Sequence, residues 1–468
     1  MKLPPSQKPN LIGGHFRKFR TDPTGFLTAQ SKLGDISYFR MGSQPGYFLN
    51  HPDLVRDLFV VNAHKFMKGR ALQRAKNLLG EGLLTSEGQF HLRQRRMIQP
   101  SFHRARIADY AKSMVDFADR MATTWNDGDV RDIDKEMMRL TMQIVGKTLF
   151  DANVEDDADD VGNAMTTVSK LFDFLLLPYS EWLQKLPLPQ TRRFNKARAT
   201  LNSVIYGIIN ERRRSGKDTG DLLSMLLLAR DEDDGGSMTD VQIRDEALTL
   251  FLAGHETTSN ALTFTFYLLS QNPDKAEKLY DELDRVLIQD GNPTGGEVVS
   301  LDPKSKIQNP KSGSRLPSID DVPNLKYTES VIAESMRLFP PAWAVGRLAI
   351  EEHDFGGFCV PKGALVLVSP FVAHRDPRFW EKADEFIPER WNTQSVKEAG
   401  QKNIYFPFGG GVRRCIGEAF AWTEGVLLLA TLARKWKLHL EPEQKIGLQP
   451  LITLRPKYGM KMRLSSRN

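Results

Sequence analysis

The sequence contains little cysteine and no long apolar run. Only two cysteines, Cys359 and Cys415, occur among 468 residues, too few for a disulfide framework or a four-cysteine zinc site. No apolar stretch approaches the ~18 residues that a bilayer-spanning helix requires, and the N-terminal segment lacks the apolar region of a signal peptide. We therefore expect a cytoplasmic protein without a transmembrane anchor.

The composition is that of a soluble globular protein. Hydrophobic residues make up 40% of the chain and charged residues 26%, and the length suffices for a large core. The formal net charge is +6 and the isoelectric point is near 9.0. This balance favours an anionic partner, which is a nucleic acid, a membrane surface or an acidic protein. The charge alone does not choose among them.

Strand patterns occur near both ends of the chain, and helical patterns fill the middle. Residues 36–50 have the pattern of two short strands around a Gly/Pro turn, residues 358–371 that of β-branched runs around PKG, and residues 451–466 that of one more hairpin. Helical periodicity dominates residues 51–337. This order predicts an α+β fold that is mostly helical, with small sheets.

Few changes of composition divide the chain, and no internal repeat is evident. We expect a single domain over residues 1–468. The exception is the segment 289–318, which is rich in Gly, Pro, Ser, Lys and Asn and has no periodic pattern. This composition predicts a flexible surface loop.

One long helix is predicted in the middle of the chain. Residues 239–242 fit a capping box, and Pro273 provides a stop signal at the other end. Ala253, Thr257 and Ala261 recur every four residues, so small side chains line one face. This stripe indicates either the approach of a flat ligand or a close helix crossing. The Thr257 hydroxyl is expected to bond the carbonyl of Ala253 and to disturb the helix locally.

A second helix carries an unusual charge. Glu334 falls on an apolar stripe, Arg337 follows three residues later, and Arg390 lies in the segment FIPERW. A carboxylate on such a stripe must be paired with a cation, because burial would otherwise neutralise it. A role of Glu334 as a catalytic acid or base is one interpretation. A buried charge cluster that braces a loop is the interpretation we favour.

Cys415 lies in the segment FGGGVRRCIGEAF, among glycines and arginines. An isolated cysteine is either a small buried hydrophobe or a ligand. Four motifs decide between these, namely FGGGVRRCIG, AGHETT, ESMR and PERW. In order and spacing they resemble those of the cytochrome P450 haem-thiolate monooxygenases of the soluble bacterial type. The resemblance extends over essentially the whole chain.

The resemblance implies the cytochrome P450 fold, with a long central helix and small β-sheets, around haem b (iron protoporphyrin IX). It makes Cys415 the axial thiolate and the metal ligand, a donor that favours O–O cleavage. The helix after the cysteine would stabilise the anionic sulfur through its N-terminal dipole. His91 stands where the family usually has tryptophan. The further residues that the resemblance assigns to the haem are His91, Arg95, Ala253, Arg347, Phe408, Gly409, Arg413 and Gly417.

The resemblance also implies that Thr257 and Glu256 manage protons for oxygen activation, in the manner of general acid catalysis. This pair favours a monooxygenase that inserts one oxygen atom of O₂ into a hydrophobic organic substrate. The segments expected over the pocket, residues 77–90 and 171–189, are apolar, which suits a fatty acid, a terpenoid or a polyketide. The alternatives are a haem-thiolate peroxygenase or isomerase, and a non-catalytic haem-binding sensor.

Electrons are expected from an external ferredoxin or flavodoxin with its reductase, because no flavin domain follows Cys415. Arg93, Arg96 and Arg414 would make the surface near the cysteine basic, which suits a weakly docked acidic partner. No basic motif interleaved with aromatic residues supports nucleic-acid binding. We expect a monomer.

Overall fold

The computed structural model describes most of the chain. The described residues are 2–11, 13–151, 188–231, 235–287 and 315–467, together with residues 164, 167 and 186. Most of the predicted loop 289–318 and nearly all of the apolar segment 171–189 therefore lie outside the described residues.

Helices form the larger part of the described structure. Their bounds are α1 Phe16–Thr21, α2 Pro23–Ser31, α3 Pro52–Arg56, α4 Arg70–Leu79, α5 Gly88–Ile98, α6 Arg104–Thr123, α7 Ile133–Phe150, α8 Pro189–Ser215, α9 Leu222–Leu228, α10 Asp240–Gln271, α11 Pro273–Leu287, α12 Lys326–Leu338, α13 Pro370–Ala373, α14 Arg390–Thr393, α15 Val396–Gln401 and α16 Glu418–Lys435. None of the helices in the described ranges is both long and apolar enough to cross a lipid bilayer.

The strands are short and form small sheets. They are β1 Ile36–Met41, β2 Gln44–Leu49, β3 Phe66–Lys68, β4 Val130–Asp132, β5 Val345–Ala349, β6 His353–Phe355, β7 Phe358–Val360, β8 Leu365–Val368, β9 Trp436–Leu440, β10 Leu448–Pro450, β11 Leu454–Pro456 and β12 Lys461–Ser466. The largest sheet has the order β1-β2-β8-β5-β3, and the others are β4-β12-β9, β10-β11 and β6-β7. The predicted α+β, mostly helical fold is confirmed.

The central helix α10 starts as predicted. The Thr239 hydroxyl accepts from the Gln242 backbone N–H at 3.3 Å, and the Gln242 side chain accepts from the Thr239 N–H at 2.8 Å. The helix has 32 residues and is thus ~48 Å long. It packs on α7 so closely that a Cβ at Gly254 would lie 3.0 Å from Cγ2 of Val145. Pro273 does not merely end this helix, because it also begins α11.

The first hairpin has the predicted strands but a different turn. Gly42, with φ of 63°, carries the turn between β1 and β2. Pro45 and Gly46 lie inside β2 instead of in the turn. Gly46 is required there because the Phe39 ring fills the space of a side chain, at 2.2 Å from the position of a Cβ.

The predicted hairpin over residues 451–466 is wrong. Its two strands belong to different sheets, since β11 pairs with β10 while β12 pairs with both β9 and β4. The reason is burial. Met462 and Leu464 of β12 are almost fully inaccessible to solvent, and a strand flanked on both edges provides this cover.

Candidate functional site

The loop before Cys415 is shaped by its glycines. The Cys415 N–H donates to the Phe408 carbonyl at 2.9 Å, and Gly409 and Gly411 adopt φ values of 71° and 64°. A side chain at Gly411 would collide with the backbone of Phe59, because its Cβ would lie 1.8 Å from the Phe59 carbonyl oxygen. Gly411 therefore serves the packing of this loop on the segment after α3, a role that the sequence did not indicate.

The Cys415 thiol is accessible to solvent and has protein groups close around it. The surrounding protein raises the pKa of the thiol to about 11. The Gly417 backbone N–H, at the start of α16, and the Arg95 and Arg414 guanidinium groups oppose this effect of burial. The other cysteine, Cys359, lies in β7.

The middle of the central helix α10 is largely buried, but one of its faces is open to solvent. Ala253 is exposed and Thr257 half-buried, whereas the adjoining His255 and Glu256 are buried. The Thr257 hydroxyl donates to the Ala253 carbonyl at 2.8 Å, which confirms the predicted bond. Ala261 is buried, so the open part of the small-residue stripe ends before it.

Glu256 points to the β10–β11 hairpin. Its carboxylate accepts from the Thr453 hydroxyl and from Nε of Arg455, the latter at 2.7 Å. Burial alone would raise the pKa of Glu256, but the Arg455 guanidinium and the Thr453 hydroxyl hold it below its usual range. The carboxylate is therefore ionised in an ion pair. Because successive helical residues face different directions, Thr257 occupies a different face of α10.

Cations gather near Cys415. Arg413 donates to Oε1 of Glu87 at 3.1 Å, and burial together with Arg413 lowers the pKa of Arg347 to about 10. Arg95 donates to the Arg414 carbonyl at 2.8 Å. Glu87 is the one carboxylate among the contacts just named, and the arginines outnumber it. The net charge of this group is therefore positive. The members of this cation cluster are Lys68, Arg95, Arg347 and Arg413, and the His91 ring lies among them.

Lys68 is the member that the sequence reasoning missed. Its ammonium group donates to the carbonyls of Leu83 at 2.7 Å and Ser86 at 2.6 Å, and lies 3.4 Å from Nδ1 of His91. Burial lowers the pKa of Lys68 to about 7. The only available signal was a lysine at the end of the short run FMK, which is equally typical of an exposed strand end.

His91 is buried, and its Nε2 has no hydrogen-bond partner within the described part of the chain. Nδ1 contacts Lys68 and the Ser86 hydroxyl, the latter at 3.2 Å. Burial, and then Lys68, lower the pKa of His91 to about 3, so the ring is neutral. In the tautomer in which Nδ1 accepts from Lys68, Nε2 carries the proton and is available to an acceptor.

The cluster predicted around Glu334 is confirmed. Arg337 grips this carboxylate with two bonds of 2.9 Å, Arg390 adds one of 2.9 Å, and the Trp391 indole one of 3.1 Å. Arg337 also donates to three backbone carbonyls, those of His374, Ala383 and Glu385. Glu334 and Arg337 are fully buried. The cluster thus braces the loop before α14.

The predicted basic surface is weaker than expected. Arg96 contacts Asp231 at 2.9 Å, and Arg93 contacts the same carboxylate at 3.5 Å. Arg414 forms a two-fold contact with Glu418. Each of these arginines is thus partly compensated by a carboxylate.

Comparison with known proteins places this site in a family. The family model described as Cytochrome P450 matches residues 4–462. The chain belongs to the cytochrome P450 family. It is 37% identical over 446 residues to cyclooctatin synthase of Streptomyces melanosporofaciens, covering 95% of this chain and 91% of that protein. It is 34% identical over 459 residues to pentalenene oxygenase of Streptomyces avermitilis, covering 97% and 96%.

A third relative is cyclooctat-9-en-7-ol 5-monooxygenase of Streptomyces melanosporofaciens, which is 34% identical over 431 residues, covering 92% of this chain and 88% of that protein. The resemblance noted in the sequence is thereby confirmed. This P450 is a haem-dependent monooxygenase that inserts one oxygen atom of O₂ into a hydrophobic organic substrate, using electrons from an external redox partner.

The residues present fit a haem group. An accessible thiol is the required type of iron ligand, and the exposed Ala253 face leaves space for a flat ring. The excess of cations, together with the unpartnered Nε2 of His91, suits the two carboxylates that such a ring carries. The observed donors and the family assignment therefore agree.

Proposed function

We propose that Cys415 is the protein ligand of the iron of haem b in this P450. The observation that carries the proposal is the accessible Cys415 thiol beside Arg95, a member of the cation cluster, and Arg414. Bound haem with a thiolate ligand supplies oxygen activation and O–O cleavage. The protein must first remove the thiol proton, because only a thiolate binds the metal. Arg95, Arg414 and the N–H of Gly417 favour that anion.

The remaining contacts follow from the site. We propose that Arg95, Arg347, Arg413 and His91 bind the haem carboxylates, with His91 donating through Nε2. The open face at Ala253 packs on one side of the ring. Supporting this, Arg347 is buried within the cation cluster and its pKa is lowered.

On the cysteine side, we propose that Phe408, Gly409 and Gly417 line the thiolate. The half-buried Phe408 ring packs on Trp422 with ring centres 5.9 Å apart, a position that suits shielding of the sulfur from water. Gly409 has open space at the position of a side chain. A Cβ at Gly417 would lie 3.6 Å from the Phe102 ring, so glycine leaves free volume there.

We propose that Thr257 holds and transfers a proton at its hydroxyl, on the open face of α10. Its bond to the Ala253 carbonyl fixes the direction of that hydroxyl. Glu256 would act from the other side of the helix as an ionised carboxylate stabilised by Arg455. Proton handling of this kind distinguishes a monooxygenase from a haem-thiolate isomerase, a peroxygenase or a sensor.

We propose a terpenoid as the substrate. The names of two relatives specify oxygenation of pentalenene and of cyclooctat-9-en-7-ol. The described part of the segment over the site is apolar, with Leu83 buried and Leu84 half-buried. An apolar wall suits a hydrocarbon skeleton better than a polar substrate.

We also propose a ferredoxin or flavodoxin, with its reductase, as the electron source, and a monomer that acts in the cytoplasm. The remaining charge of Arg93, Arg96 and Arg414 supports an acidic partner. The two unpaired cysteines support a reducing compartment. The match of one family model over residues 4–462 supports a single domain.

The decisive experiment compares two cysteine variants. We expect Cys415→Ser to lose the red-shifted absorption band of the reduced, carbon-monoxide-bound protein, because a hydroxyl does not replace the thiolate. Cys359→Ser is the matched control and should keep the band, since Cys359 lies in β7. Retention of the band in Cys415→Ser would contradict the ligand assignment.

A further inference from the structure

The backbone of one residue, Leu83, is held from both sides by buried ionisable side chains. The Leu83 N–H donates to Oε2 of Glu246 at 2.9 Å, and the Leu83 carbonyl accepts from Nζ of Lys68 at 2.7 Å. Glu246 is 0% exposed and Lys68 5% exposed. These side chains come from α10 and the end of β3, so the Leu83 backbone connects two distant elements.

Neighbouring side chains of α10 extend this attachment. Asp245 accepts from the Glu81 N–H at 2.8 Å, and Arg244 donates to the Leu78 carbonyl at 2.9 Å. Three consecutive residues of α10 thus bind the backbone of the segment 78–83. Each is buried, and desolvating a run of charged side chains is unfavourable unless their contacts compensate for it.

Two glycines allow this contact. A Cβ at Gly80 would lie 2.0 Å from Oδ2 of Asp245, and one at Gly82 would lie 2.3 Å from Oγ1 of Thr249. Gly80 also has φ of 62°. The segment therefore lies directly on α10, with no space for side chains between them.

The attached segment flanks the proposed reaction site. Glu246 precedes the exposed Ala253 by seven residues, or two helical turns, on the same face of α10, a distance of about 10 Å. At its other side the segment binds Lys68, which belongs to the cation cluster. The Leu83 backbone therefore joins the cofactor side of the site to the helix that carries Thr257.

We propose that Lys68 and Glu246 are positioning residues, which hold the Leu83 backbone between them and so fix the segment 80–87 as a wall beside the reaction site. The two contacts to Leu83 and the close approach of Gly80 and Gly82 to α10 support this assignment. Either partner alone would leave one side of the segment unattached. The pair would thus determine how closely a substrate can approach the open face of α10.

The charges around the pair are consistent with this role. Glu87, His91, Arg347 and Arg413 surround Lys68, and Asp245 and Gln94 lie beside Glu246. Burial lowers the pKa of Lys68 to about 7 and raises that of Glu246 to about 8. Both contacts survive neutralisation, since a neutral amine keeps two N–H donors for the two carbonyls and a neutral carboxyl keeps an acceptor.

The test is hydrogen exchange measured by mass spectrometry on haem-loaded protein, in peptides that cover residues 78–87. In Lys68→Met and in Glu246→Ala we expect exchange of these amides to quicken by about tenfold, as for the loss of one buried hydrogen bond. Glu246→Gln should exchange like the wild type, because its amide oxygen still accepts from Leu83. Lys65→Met is the control, since the Lys65 ammonium group pairs with the surface residue Glu351, at 3.7 Å.

The double variant Lys68→Met/Glu246→Ala should exchange no faster than the additive prediction from the single variants, and substrate-induced spin shifts should weaken in each. Unchanged exchange in both single variants, or equal acceleration in Lys65→Met, would overturn the proposal. If a single variant fails to load haem, Lys68→Arg and Glu246→Gln decide. We expect both conservative variants to load haem and to keep the amides of residues 78–87 protected from exchange. Rapid exchange of these amides in the loaded variants would also overturn the proposal. Since exchange is read without turnover, a failure here leaves the assigned reaction unaffected.

Discussion

At Thr257 a single hydroxyl can be removed without disturbing its surroundings, because its bond to the Ala253 carbonyl stays within the helix. We expect Thr257→Ala to keep its haem content and thiolate spectrum. Product formed per NAD(P)H consumed should fall by about tenfold and hydrogen peroxide should rise, a smaller loss than the ~10²-fold of a missing general acid because water can enter the space. The measurement uses a surrogate ferredoxin and reductase.

The matched control for this prediction is Thr263→Ala. Thr263 makes the same local bond, to the Ser259 carbonyl at 2.8 Å, but is fully buried away from the open face. Its removal should leave the coupling of electrons to product unchanged. Equal uncoupling in both variants would assign the effect to the helix and not to the Thr257 hydroxyl.

Glu424 is a buried carboxyl group on α16 whose oxygens reach no hydrogen-bond partner within the described residues, although Thr258 faces it. Burial raises its pKa to about 8. The folded protein therefore holds a proton that the unfolded chain releases near pH 4.5. This stabilisation is complete below that pH and is lost as the pH rises through 8, at about 1.4 kcal/mol per pH unit.

We expect Glu424→Gln to flatten this pH dependence, because the amide does not titrate. Urea unfolding of the haem-loaded protein between pH 5 and pH 8.5 measures it, and the variant should gain stability relative to the wild type as the pH rises. Glu277→Gln is the control, since Glu277 forms a surface pair with Lys437. Parallel curves for the wild type and Glu424→Gln would show that Glu424 is ionised in the folded state.

Helix α12 is joined to the loop before α14 through one carboxylate. Removing Arg337 would leave Glu334 fully buried and short of its bidentate partner, at a cost of about 3–5 kcal/mol. We expect Arg337→Ala to yield little haem-loaded protein, as measured by the ratio of haem absorption to protein. Lys326→Ala, on the same helix at a surface pair with Glu329, should load normally. Normal loading of Arg337→Ala with slow turnover would instead indicate a catalytic role.

The elements that the sequence predicted well are those determined by local contacts. The capping box at Thr239 and the pairing of Glu334 with Arg337 join residues three positions apart, so the spacing alone suffices. Arg455, the partner of Glu256, lies 199 residues away. The Lys68–Leu83 contact likewise depends on how the segment after α4 folds back to the end of β3. Non-local pairs of this type leave no periodic signal.

Strand β12 connects parts of the chain that are far apart in sequence, because it lies between β4 and β9 in one sheet. Met462 is 0% exposed and Leu464 1% exposed, so this strand contributes to the core as well as to the sheet. We expect deletion of residues 460–468 to abolish haem loading, because two strand edges and a core surface would be left open. Deletion of Asn468 alone is the control and should have no effect. The haem content of purified protein measures both.

The position of β12 has a consequence for synthesis on the ribosome. Asp132 in β4 pairs with Lys461 in β12, so about 330 residues must be translated before β4 acquires its partner. At ~5–20 residues per second this takes about 15 to 65 seconds. During that interval the nascent chain exposes an unpaired strand edge, which is a site for aggregation. Chaperones that bind nascent chains should therefore increase the yield of folded P450. Mutations that only slow the unfolding of the finished protein should increase it less.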